Sequence, residues 1–253
     1  MSRTNGSVYS GLVSNNCCVF VTNDIFGAGQ DDCAIVELNR HCGAFVVTAG
    51  NMQLKRFIEL WRGSDIPRIA ASERGLSAHL AETLAGSFEA EFNRNPDFVA
   101  NPLPFLLLMV GHNPENSSLE HIFMRNRVLE ALVKEGRKEY KTGFEIQPPV
   151  PARSLFYGHA ELSRYWARPL KDDRLDMPSM KILACYSLLE IQRLDSSLNP
   201  AIRMAALSED EGFCWISGDE LQRTSALAGN FDINIRKGLT ECFAAVSKED
   251  FLH

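Results

Sequence analysis

The chain has 253 residues, 45% of them hydrophobic, which is enough for one large domain with a sizeable core. A formal charge of -6 and a pI near 5.6 exclude a generic nucleic-acid binder, since phosphate recognition needs clustered Lys and Arg. No apolar run approaches the roughly 20 residues that span a bilayer, and the seven cysteines, an odd number, suit a reducing cytoplasm better than a disulfide framework.

Two apolar hairpins are predicted first. One runs from Ser7 to Val13, turns at Ser14–Asn16 and returns from Cys17 to Asp24; the other runs from Ala34 to Asn39, turns at Arg40-His41 and returns to Val47. Cys17–Val21 and Phe45–Val47 are apolar at every position, as expected of strands covered on both faces. From Asn51 the period becomes helical, with Leu54, Phe57, Ile58 and Trp61 on one stripe until Gly63-Ser64. A second helix is predicted over Glu73–Asn93, and Phe105–Val110 and Leu119–Arg125 read as paired strands. Val128–Glu139 reads as helical, while Pro148, Pro149 and Pro151 demand extended backbone. A short strand at Leu155–Tyr157 leads to a helix over Ala160–Arg168. Asp176-Met177-Pro178 then opens a helix reaching Leu194, since an aspartate cap accepts from free amides and an early proline needs no donor. Two strands, Ala201–Leu207 and Phe213–Ser217, precede a largely helical tail from Asp219.

This order resembles the proteasome β-subunit superfamily, a branch of the N-terminal nucleophile hydrolases. The resemblance is carried by Val19–Asp24, Ile35–Asn39, Phe45–Gly50, Leu183–Asp195 and Ala201–Ser217. It implies an α+β fold, a four-layer αββα sandwich of two antiparallel sheets between helix layers. Residues 1–6 would be a short propeptide or disordered start, and residues 7–253 a single proteasome-like domain. It also implies a nucleophile exposed by cleavage after a glycine, whose new amine serves as general base for the adjacent hydroxyl. Counted back from Asp24, with one extra residue in the Ser14–Asn16 turn, that position is Ser7, preceded by Gly6. Asp24 matches the aspartate that orients the family lysine, and Asp195 matches an aspartate after the long helix. The lysine itself is replaced by Ala34, which has no ammonium group to depress an amine pKa.

Two readings follow. The first is a diverged, weakly active or inactive subunit in a homo-oligomeric or partner-bound assembly, with an ATPase or another protein as partner. The second is an active serine amide hydrolase of peptides or proteins, using Ser7 with Asp24 and Asp195. No cofactor and no membrane contact are expected. Met52, Phe57 and Trp61 suit either an oligomer contact or an ordinary core. Cys17 and Cys18 read as buried strand cysteines rather than nucleophiles, because cleavage before either would delete the first strand. Cys33, His41 and Cys42 lack paired Cys-x-x-Cys spacing, which argues against zinc. His159 reads as a solvent-facing residue at a helix start, and the Gly27–Gly29 loop lacks the following helix of a dinucleotide site.

Overall fold

The computed structural model describes residues 9–13, 17–23, 34–46, 51–151, 156–158, 175–194 and 201–249. They form a mixed α+β fold with two antiparallel sheets and several helices. β1 (Tyr9–Val13) pairs with β2 (Cys17–Thr22), setting Tyr9 opposite Thr22 and Val13 opposite Cys18. β10 (Arg203–Ser208) lies on the other side of β2, with β11 (Gly212–Trp215) beyond it and β9 (Phe156–Gly158) against β1. The second sheet runs in chain order through β3 (Ile35–Asn39), β4 (Cys42–Val46), β5 (Leu106–His112), β6 (Leu119–Lys134) and β7 (Arg137–Ile146). The short β8 (Val150–Pro151) also pairs with β6, so the proline-rich segment is extended there.

Both expected hairpins form, but in different sheets. They meet face to face, with the Phe20 and Phe45 rings 4.5 Å apart, rather than as neighbours along one sheet. This explains their apolar character: all of β2 and all of β4 are buried. Alternate residues of β2 enter two different cores, as the two-residue period of a strand requires. Cys18 and Phe20 join a core containing β3, β4, β5 and the helices that follow β4. Cys17, Val19 and Val21 join a second core with Met180, Leu183, Ala184 and Leu188.

Those four residues lie on α5 (Met177–Leu194), which begins as expected: the Ser179 amide donates to Asp176 Oδ1 at 2.9 Å. The last helix, α6 (Gly218–Glu249), packs beside α5 and is tied to it by Lys181–Glu220 at 2.7 Å and Arg193–Asp232 at 2.9 Å. On the six-stranded sheet, α1 (Asn51–Gly63) buries Phe57, Ile58 and Trp61. Of the two roles open to Phe57 and Trp61, the structure assigns the core rather than a subunit contact. α2 (Ile66–Ala71) follows, a short helix that the sequence pattern does not announce.

α3 (Ala78–Arg94) starts later than Glu73, because Ser77 caps it by accepting from the Leu80 amide at 3.0 Å. Just before it, the Leu76 amide donates to the His112 carbonyl at 2.9 Å, and a Cβ at Gly75 would collide with that carbonyl. Leu80, Leu84, Phe88 and Phe92 form the buried stripe, and α4 (Pro96–Ala100) follows.

The helix expected over Val128–Glu139 is not formed. That segment belongs to the β6–β7 hairpin, closed by Glu135 (φ 49°) and Gly136 (φ 76°). Two consecutive left-handed residues make the turn whose twist matches paired strands. Asn93 of α3 fastens the hairpin base, donating to the Thr142 carbonyl at 2.8 Å and accepting from its amide at 2.9 Å. Among the described residues, no helix is long and apolar enough to cross a membrane.

Candidate functional site

Phe20 packs on Phe45, and Phe213 stacks over Gly43, so the two sheets share a common sense of direction. One end of the molecule therefore gathers the start of β1, the end of β2, the start of β3 and the end of β4. This is the end to which the resemblance assigns chemistry. Tyr9 and Arg203 flank Thr22 in register, and Thr22 and Asn23 are fully buried polar residues. Ala34, just ahead of β3, is completely buried and accepts from the Val46 amide at 3.1 Å.

Ser7, Asp24 and Asp195 lie outside the described residues, as do His159, Cys33 and the Gly27–Gly29 loop. Of the four positions singled out for the site, only Ala34 is described. Thr22 and Asn23 were not singled out from sequence. Their signal was available as an abrupt change to polar residues after the uninterrupted apolar run Cys17–Val21.

The cysteines that could be imagined as nucleophiles are structural. Cys17 Sγ lies 3.1 Å from Met180 Sδ, and burial pushes the Cys18 thiol well above its ordinary pKa, with Cys17 and Cys42 adding to the effect. Burial likewise raises Cys42. A thiol that resists ionisation is a poor nucleophile and a poor metal ligand. Among the described residues, no three His, Cys, Asp or Glu side chains converge as a metal-binding group.

A groove of about 520 Å³ opens at the same end of the six-stranded sheet, where Leu106 faces Arg125 in register. Its walls include Pro104, Phe105, Leu106 and Phe123, and Arg125 is already held by Glu145 at 3.0 Å. An engaged guanidinium beside apolar walls suits a hydrophobic segment better than a free anion.

At the opposite end, two buried histidines stand out. His112 Nδ1 lies 3.0 Å from the Ser117 carbonyl, which makes it the protonated nitrogen and leaves Nε2 without a partner. His121 has Nδ1 without a partner, and burial lowers its pKa against the opposing effect of a hydrogen bond with the Val150 backbone. A histidine pKa below 6.5 in the folded state means that the unfolded chain protonates first. The His121 contribution is therefore complete above pH 6.5 and lost as pH falls through 6.5 toward the lowered folded value. Urea midpoints at pH 7.5 and 5.5 should show a loss on acidification that shrinks in His121→Gln. An equal loss in both proteins would remove His121 as its source.

No protein-family model matches this chain, and no curated protein matches it at a significant level.

Proposed function

We propose that this chain is a diverged proteasome-like subunit, weak or inactive as a peptidase, that works in a homo-oligomeric or partner-bound assembly. In this reading the two sheets are the inner layers of a four-layer αββα sandwich. α1–α3 form one outer layer, and α5 with α6 the other. The face-to-face hairpins and the separate helix-lined cores support that arrangement.

The observation that carries the functional half is Ala34. A fully buried methyl group, at the position where the resemblance puts a lysine, offers no charge to lower the pKa of an N-terminal amine. A site built on Ser7 and Asp24 would keep a hydroxyl and a carboxylate but lack the cation that the family chemistry uses.

The test is the intact mass of the purified protein together with its turnover of fluorogenic peptides. The expected result is an uncut Gly6-Ser7 bond and turnover no greater than that of Ser7→Ala. A chain shortened by cleavage before Ser7, with activity falling more than about a hundredfold in Ser7→Ala, would establish the active serine hydrolase instead.

A further inference from the structure

β6 leaves the body of the sheet after Arg125, the last residue it pairs with β5, and continues to Lys134 with only β7 beside it among the described residues. Every residue from Arg127 to Lys138 is exposed, including Val128, Leu129, Leu132 and Val133, the last at 72%. A two-stranded ribbon is marginal in water, whereas three or more strands are stable. Beyond the bulge between Val128 and Glu130, the segment Glu130–Lys134 is regular and, among the described residues, its outer edge has no strand paired to it.

We propose that this edge pairs with the same edge of a second copy of the chain, making a four-stranded sheet across a two-fold axis. Directly opposed residues of antiparallel strands share a face, and a two-fold normal to the sheet preserves faces. The axis must therefore pass beside one residue and its own copy. Centring on Glu130 would oppose two carboxylates at the axis. Centring on Ala131 or Val133 makes no charge pair. Centring on Leu132 sets Leu132 against Leu132 of the second copy, Ala131 against Val133, and Glu130 against Lys134 twice. Cross-strand pairs of this kind each add stability, and here the charges select the register. Lys134 also lies 3.5 Å from Glu139 of its own hairpin, so its ammonium would be shared between two carboxylates.

The inference rests on the arm alone and is independent of the proteasome-like reading. So short a pairing buries less than a standard interface, so association in the micromolar range is expected. Sedimentation of the full chain at about 100 µM should give twice the 28.3 kDa chain mass. Leu132→Lys should return it to the single-chain mass with an unchanged circular dichroism spectrum. Under mild oxidation Leu132→Cys should form a covalent dimer, while Val133→Cys, facing Ala131 of the second copy, should cross-link no more than wild type. A wild-type monomer at that concentration overturns the proposal. So does a Leu132→Lys protein of undiminished mass, or equal cross-linking by the two cysteine variants.

Discussion

Phe88→Ala is expected to destabilise the fold by about 3–5 kcal/mol, the range for deleting a buried aromatic side chain. Phe88 is fully buried, and its ring centroid lies 5.5 Å from Phe57, 5.8 Å from Trp61, 5.3 Å from Phe105 and 5.7 Å from Phe144. It thus joins α1, α3, β7 and the residue that leads into β5. The cavity left by alanine would be lined by rigid rings carried on three other segments, which leaves little scope for collapse. Equilibrium unfolding in urea measures the loss as a lowered midpoint. Phe88→Leu, which retains most of the volume, should cost less than about 1.5 kcal/mol. A loss below about 1 kcal/mol for the alanine variant would mean that this cluster does not support the sheet.

Ala34→Lys is expected to have a comparable effect by a different route. Ala34 is completely buried in the core shared by β3, β4 and β5, so a lysine there adds both volume and charge. Overpacking alone costs about 1–3 kcal/mol, which Ala34→Met measures. An uncompensated buried ammonium adds several kcal/mol more, of the order of 3–5. Burial would also depress the lysine pKa below about 10.4. The unfolded state then binds the extra proton between those two values. The deficit of the lysine variant should therefore shrink as pH rises toward 10, while the methionine variant shows no such recovery. Equal stability of the two variants at pH 7 would show that the position accepts a cation. That outcome would mean that an acceptor for an ammonium group persists beside position 34.

The hairpin β6–β7 shows where local sequence stops deciding structure. Val128–Lys134 and Glu139 contain good helix formers, and the same residues serve in a strand when a partner is present. The partner is supplied by β7, by the left-handed pair Glu135-Gly136 and by the Asn93–Thr142 clamp. The start of α3 was settled in the same way, by a distant carbonyl. His112 takes the Leu76 amide, so the helix cannot begin at Glu73.

What the sequence determined alone were the features with a local cause. The apolar runs Cys17–Val21 and Phe45–Val47 pointed to strands covered on both faces, and all of β2 and the described residues Phe45 and Val46 are buried. The Asp176 cap set the start of α5, and the stripe Leu80, Leu84, Phe88 and Phe92 set the inward face of α3. At the candidate site, the sequence showed an alanine where the family resemblance expects a lysine. It could not show that this alanine is sealed in a core with Val46, or that Thr22 and Asn23 are buried. Only the tertiary structure decided which sheet each hairpin joined. Strand pairing and sheet packing are contacts between residues far apart in the chain, and a hairpin apolar on both faces fits either sheet until the other elements are in place.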